Sequence, residues 1–308
     1  MMTGIVAGSL IALWALVTGC NPLADGNGGT ISGDLELVAA LPVEVSGHLE
    51  PSGLTISEGT LYAVADKVGT VIYRLEVGEE TARMVPAIPF RPPGGGWMDW
   101  EGITVDNAGT FYLVSEEQGR ILRVSRDGIA SWASPDLRPE GRKIGLFTKS
   151  NAGFEGIAWL GPNHWLCAVE REPRGLLEVQ GADQSMEVQA SVQEHSPYSK
   201  FLPLLRIPDF SGLHVDGETV YALFRNAHLL VRLDRDGDSF REAEAWSYRH
   251  IEIDPRWAFL SQTYGQAEGL VVRGRDVYLL FDNNRGGRMS DPADKRPLLI
   301  LARIPEGP

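Results

Sequence analysis

Cysteine is nearly absent: the chain has two in 308 residues. Two thiols exclude both a disulfide framework and a zinc site built on thiolates. Positive charge is also scarce, with 28 Lys and Arg against 41 Asp and Glu and a formal charge of −13. A chain so acidic lacks the basic face that neutralises phosphates, so nucleic acid is not an expected partner. No stretch keeps a helical period for more than a turn or two, and no G-x-S-x-G motif supplies a serine nucleophile. The uncharged apolar run from Ile5 to Val17 is too short to span a bilayer comfortably. What is present is an ordinary soluble composition, 43% hydrophobic and 22% charged, in a chain long enough for a sizeable core.

The apolar run reads as the core of a signal peptide. It ends in Val17-Thr18-Gly19-Cys20, which resembles the bacterial lipobox, whose cysteine becomes the lipidated first residue of the mature protein. Asn21 after it resembles the outer-membrane sorting choice, although no Lys or Arg precedes the run. Residues 22–33, "PLADGNGGTISG", read as a flexible tether. The expected division is a lipoprotein signal peptide over 1–19, lipidated Cys20 and tether over 20–34, and one domain over 35–308. That domain is expected as a monomer in the cell envelope, held to the outer membrane by its lipid alone; an ordinary cleaved signal or an uncleaved anchor is the alternative. Cys167, in "HWLCAVE", reads as an inert core thiol.

Five segments share one pattern, starting at Pro51, Trp100, Phe154, Phe210 and Ala267, with spacings of 49, 54, 56 and 57 residues. Each has Ser or Glu, then Gly, a short apolar strand, a Gly/Asp/Asn turn, a second strand ending on a charged residue, and a third apolar strand. A looser fourth strand follows, as in "ARMVPAIPF", "GIASWASP", "MEVQASV" and "EAWSYRHIEI". Units of this length with four short strands predict an all-β fold, a β-propeller. The last unit stops after its third strand, "RPLLILARI", and "LELVAALPVEV" at residues 35–45 resembles the strand it lacks. Pairing the two ends in one blade would close a five-bladed ring over residues 35–304. Six blades remain the alternative.

Two rings of polar residues follow from that fold. The residue opening the first strand and the residue closing the second lie at the same end of a hairpin, hence on one face of the disc. The inner set is Ser52, Glu101, Glu155, Ser211 and Glu268; the companion set, 14 or 15 residues on, is Asp66, Glu116, Glu170, Arg225 and Asp282. So many carboxylates around a narrow channel repel one another unless something offsets their charge. Oxygen donors without cysteines suit a hard cation, and a flexible ring suits Ca²⁺ better than Mg²⁺. The expected ligands are Glu101, Glu155 and Glu268, with Asp66, Glu116, Glu170 or Asp282 completing the shell. The competing reading has no metal: the glutamates accept hydrogen bonds from neighbouring blades and lock the ring. Lys67, Arg120, Arg171, Arg174, Arg225 and Arg285 are expected to rim the same face, which would suit an anionic or phosphorylated small molecule, or simply be a solvated loop surface.

The segments "NAGFEGIAWL...HWLCAVERE", "DWEGITVDNAGTFYLVSEEQGRILRV" and "AEGLVVRGRDVYLLFDNNRGG" resemble the phytase-like propellers with "esterase-like activity of phytase" and the related SdiA-regulated envelope propellers, over most of residues 48–304. The resemblance implies a secreted or envelope-attached propeller, with Ca²⁺ in some relatives and phosphomonoester or ester hydrolysis proposed for the phytase-like ones. It carries Glu101 and Glu155 over by the EG motif, and Glu116, Glu170 and Asp282 by the charged strand end. Two functions are therefore carried forward. One is a calcium-dependent hydrolase of phosphate or carboxylic esters, with Glu155 and Glu170 as its carboxylates and Arg225, with Arg285, holding the phosphoryl or leaving group. His214, Glu117 and Glu172 are lesser candidates for its general base. The other is a non-enzymatic binding module, its face shaped by residues 136–153, 193–209 and 254–266 and by Trp97, Trp100, Phe147, Tyr198, Trp257 and Tyr264.

Overall fold

Each repeat folds into an antiparallel four-stranded sheet, because its apolar stretches are joined by turns that make hairpins. The computed structural model describes residues 29–47, 49–182, 185–260 and 265–307. Blade 1 comprises Pro51–Ser57, Thr60–Ala65, Val68–Val77 and Ala82–Pro89. Blade 2 comprises Trp100–Val105, Phe111–Ser115, Arg120–Val124 and Ala130–Trp132. Blade 3 comprises Phe154–Gly161, His164–Val169, Gly175–Gln180 and Glu187–Val192. Blade 4 comprises Gly212–Asp216, Thr219–Phe224, Leu229–Asp236 and Ser239–Ser247. Blade 5 takes Ala267–Arg273, Asp276–Phe281 and Leu298–Arg303 from the end of the chain and Glu36–Glu44 from near its start.

The closing strand pairs antiparallel with the last one, from Glu36 opposite Arg303 to Pro42 opposite Leu298. It is sutured on both sides as well. Val43–Glu44 run parallel to Ala82–Arg83 of blade 1, and Gly33–Asp34 run parallel to Trp246–Ser247 of blade 4. The last residues of the expected tether, 29–34, thus lie along blade 4, where Ser32 N–H donates to Ala245 O at 2.8 Å. The signal peptide and Cys20 fall outside the described residues.

Five blades close the ring, and six are not needed. The glycine after each inner-ring residue touches the backbone of the next blade: a Cβ on Gly53 would lie 3.0 Å from Gly102 Cα, and one on Gly102 would lie 2.9 Å from Gly156 Cα. The chain of contacts continues from Gly156 to the Gly212–Leu213 peptide at 2.8 Å, from Gly212 to Glu268 O at 2.9 Å, and from Gly269 to Leu54 N at 3.1 Å. Only glycine permits five inner strands to converge so tightly. The apolar core is correspondingly not at the axis but in five slabs, one between each pair of neighbouring blades. Trp100 fills the slab between blades 1 and 2, and Tyr248 and Trp246 fill that between blades 4 and 5.

Several expectations are corrected. "EAWSYRHIEI" is strand only to Ser247; Arg249–Glu252 form a helical turn, because Glu252 points inward to bond His228 Nδ1 at 2.7 Å and Gln266 N–H at 2.8 Å as the chain returns to the axis. Trp100, Phe147 and Tyr198 are buried in the slabs and are not surface anchors, whereas Trp97 is exposed. Tyr264 falls outside the described residues. Arg174 does not rim the mouth: it is buried between Phe210 and Phe224 and paired with Glu242. Among the described residues no helix is long and apolar enough to cross a membrane.

Candidate functional site

The inner residues owe their aim to a shared irregularity. In blade 2, Trp100 pairs with Ser115 and Gly102 with Val114, leaving Glu101 between them unpaired; Ser52, Glu155 and Glu268 interrupt their ladders in the same way. A bulge of this kind turns its extra side chain out of the alternation, here toward the axis. The companion residues are fixed by a second repeated contact. The N–H of Asp66, Glu116, Glu170 and Asp282 donates to the carbonyl two residues before the inner position, on Glu50, Asp99, Gly153 and Gln266, at 2.9–3.1 Å.

That contact exposes a third register that sequence reasoning missed. Two residues before each inner position stand Glu50, Asp99, Gly153, Asp209 and Gln266, three of them carboxylates. The signal was there, in "EPSG", "DWEG" and "DFSG", but it lies ahead of the strand in connections of unequal length.

The three registers line a polar cavity of about 250 Å³ at one end of the channel, bounded by Glu50, Asp66, Asp99, Glu101, Glu116, Glu155, Glu170, Glu268 and Asp282, with Lys67, Arg171 and Arg225. Below the carboxylates the glycine ring narrows the channel to a void of about 10 Å³. All the expected metal and catalytic residues meet here, with Ser52, Asn151 and Asn284 among them. The two serines work differently from the glutamates they replace. Ser52 Oγ donates to Trp100 O and Ser211 Oγ to Ala267 O at 2.7 Å, each stitching its blade to the residue before the next inner glutamate.

Charge is offset unequally around the ring. Arg225 meets three carboxylates: Nε donates to Asp209 at 3.0 Å, Nη1 to both oxygens of Glu268 at 2.6 and 2.8 Å, and Nη2 to Glu170 at 2.6 Å. Arg171 also pairs with Glu170. On the opposite side Lys67 bonds Asp66 and lies 3.1 Å from Glu50, which also accepts from Arg285 Nε at 2.9 Å. There the carboxylate oxygens of Asp66, Asp99 and Glu101 lie within 4.8 Å of one another. Asp66 Oδ1 and Asp282 Oδ1 are buried with no hydrogen-bond partner, and Asp282 as a whole is 6% exposed.

Protonation follows this crowding. Burial first, then neighbouring carboxylates, hold Glu101 and Glu155 well above the usual carboxylate range. Burial lifts Asp66 to about 6 against the pull of Lys67, and Asp282 to about 7. It lifts Glu268 to about 7 despite Arg225. Asp99 and Glu116 are raised for the same leading reason.

The lesser candidates lie elsewhere. Glu117 and Glu172 are exposed and do not line the cavity. His214 is buried between blades 4 and 5, its imidazole pushed down to about 4 by burial, as a packed neutral ring would be. Arg120 stacks near Trp132.

A family model described as SdiA-regulated matches residues 43–280, and the chain belongs to that family. No curated protein matches the sequence. Similar solved structures include the glutaminyl cyclase of Myxococcus xanthus, at 10% identity over 87% of this chain and 95% of that one, with a TM-score of 0.52. The PQQ-bound aldose sugar dehydrogenase of Streptomyces coelicolor shares 14% identity over 87% of this chain and 98% of its own, TM-score 0.45. Virginiamycin B lyase of Staphylococcus aureus shares 12% over 82% of this chain, which spans 66% of the lyase, TM-score 0.41. These neighbours are β-propeller proteins, and at such identities the likeness is one of fold alone.

Proposed function

For this member of the SdiA-regulated family we propose an envelope propeller whose channel mouth holds one hard divalent cation, calcium by donor chemistry, and uses it to bind a small ligand. The observation that carries the reading is the cluster of Asp66, Asp99 and Glu101, within 4.8 Å, in a cavity where Asp66 Oδ1 and Asp282 Oδ1 are buried without a hydrogen-bond partner. The residues fit such an ion: the cavity lining has carboxylates and amides but neither cysteine nor histidine. Asp66, Asp99 and Glu101 would hold it, with Asp282 and Glu155 alongside. The test is metal content of the full chain by mass spectrometry, paired with thermal melts in calcium and in chelator. About one equivalent of calcium and a raised Tm are expected. Glu101→Gln and Asp99→Asn should abolish both, while Glu101→Gln raises the Tm in chelator, because a neutral amide avoids the cost of protonating or burying the carboxylate there. A wild-type chain that holds no calcium and melts identically in both conditions would refute the reading.

Ester hydrolysis, of phosphate or carboxylic esters, is the second reading, and Glu155 favours it. A bound cation would polarise a carbonyl or phosphoryl oxygen. Glu155, its carboxyl pushed above the usual range by burial and then by Glu101, lines the same cavity and could pass a proton to a leaving oxygen. Binding is nevertheless the better supported function. Lys67, Arg171 and Arg225, the basic residues of the lining, each already bond a carboxylate, which leaves Arg225 poorly placed to clamp a phosphoryl group. Calcium-dependent release of a chromogenic acid or phosphate, lost in Glu155→Gln, would support hydrolysis; release that persists in chelator would sink it. Attachment at Cys20 to the outer membrane belongs to the same proposal and rests on the sequence of residues 5–21. Fatty-acid labelling of the wild type but not of Cys20→Ala tests it.

A further inference from the structure

We propose that the turn Pro203–Arg206 is a membrane-contacting element whose occupant is the surface of the bilayer that anchors the chain. Arg206 N–H donates to Pro203 O at 3.0 Å, so Leu204 and Leu205 form the tip of a tight turn. They are 77% and 93% exposed, the most exposed large apolar side chains among the described residues. Leu205 has φ of 67°, a backbone state that turns usually reserve for Gly or Asn. A polar or glycine residue would suit both the conformation and the solvent better, so folding alone does not account for two leucines here.

The position of the turn says what should cover it. Residues 199–207, "SKFLPLLRI", hold two basic residues, Lys200 and Arg206, and no acidic one, in a chain of net charge −13. Apolar tips flanked by Lys or Arg are the pattern of segments that sit at a lipid headgroup boundary. Phe201 and Leu202 pack on the slab between blades 3 and 4, as does Ile31 from the N-terminal segment, and so hold the tip outward. The described chain begins here too: Gly29 N–H donates to Pro197 O at 2.7 Å, and Gly29 sits against the Tyr198 ring. Cys20 precedes Gly29 by nine residues, which reach at most about 30 Å when fully extended. A lipid at Cys20 therefore keeps this loop close to the membrane. The same connection delivers Asp209 to Arg225.

The inference rests on the envelope attachment proposed above, and not on the cation. Its test uses the full chain with vesicles of phosphatidylcholine and phosphatidylglycerol carrying acyl-chain nitroxide quenchers. A thiol-reactive fluorophore is placed at Leu205→Cys or, as a control, at Ile129→Cys, an exposed turn of blade 2; the wild-type chain serves as the labelling blank. Flotation with the vesicles, and quenching several-fold stronger at 205 than at 129, is the expected result. Flotation with equal or no quenching at 205 overturns the loop's role and leaves attachment standing. A chain that does not float removes both. A label at 205 that escapes the nitroxides but becomes shielded as protein concentration rises would mean that a second copy covers the leucines, and overturns the proposal.

Discussion

Replacing Arg225 by Met should be among the most damaging single changes near the axis. The guanidinium is buried and hydrogen-bonds Asp209, Glu268 and Glu170 at once. Removing one partner of a buried ion pair costs roughly 3–5 kcal/mol, because the charge left behind is neither solvated nor paired. Methionine fills much of the volume, so cavity formation adds little. With roughly 2 °C of melting shift per kcal/mol for a domain of this size, the Tm in chelator should fall by about 6–10 °C. The loss should shrink at acid pH, where protonation of the abandoned carboxylates substitutes for the lost cation. Arg225→Lys should lie between, because an ammonium keeps the charge without the planar fork that reaches three acceptors. The assay is a calorimetric melt of wild type and both variants at about pH 5 and pH 8. A Met variant that melts within about 2 °C of wild type, or loses as much at both pH values, would refute the claim that Arg225 neutralises this half of the ring.

Three further outcomes are expected. Calcium-free protein should become less stable as pH rises from about 4 to 7: Asp66, Asp282 and Glu268, raised to about 6, 7 and 7 by burial, hold protons in the fold that the unfolded chain has released. Melts across that range should show a falling Tm in chelator and a flatter profile in calcium; a Tm that climbs with pH in chelator would contradict the assignment. Gly102→Ala would place its Cβ 2.9 Å from the backbone of blade 3 and should cost roughly 3 kcal/mol, whereas Gly161→Ala, with open space around it, should be close to neutral in urea unfolding. Ser211→Ala should cost about 1–2 kcal/mol, leaving the buried Ala267 carbonyl without its donor, with no change in calcium affinity by titration calorimetry.

How far this architecture could be read in advance depends on what each feature rests upon. Blade number and closure follow from strand phase, and phase survives in the alternation of "GLTISEGTLYAVAD" and its counterparts, so the paired termini were legible. The positions of Glu101 and Glu116 follow from the same phase, since a hairpin fixes which ends meet. Asp99 was not legible, although it joins Asp66 and Glu101 in the tightest carboxylate cluster, because it precedes the strand and takes its place from the bulge geometry. Arg225 looked like a rim residue because a sequence shows a charge but not the three acceptors that converge on it from different blades. Trp100 and Tyr198 looked like surface anchors for a related reason: an aromatic in a connection is buried or exposed according to how the neighbouring blade packs, which no local pattern records.

The ring therefore has two solutions to one electrostatic problem. Blades 3, 4 and 5 contribute Glu170, Asp209 and Glu268 to a cation that is part of the chain, fixed in place and present under all conditions. Blades 1 and 2 contribute Asp66, Asp99 and Glu101, for which Lys67 offers a single ammonium that it shares with Glu50. The remainder must come from protons or from a cation in solution, and these differ in a way that matters for function: protonation silences the carboxylates, whereas a divalent ion keeps them ionised and adds an open coordination position. The need for a cation from the medium thus falls on the Asp66 side of the mouth, while on the Arg225 side the guanidinium supplies one, although Glu268 there still titrates near 7. A ligand that needs the cation should enter against blades 1 and 2, so substitutions at Asp66 and Asp99 should alter binding and remove the stabilisation that calcium gives, whereas those at Arg225 should lower stability in chelator as well.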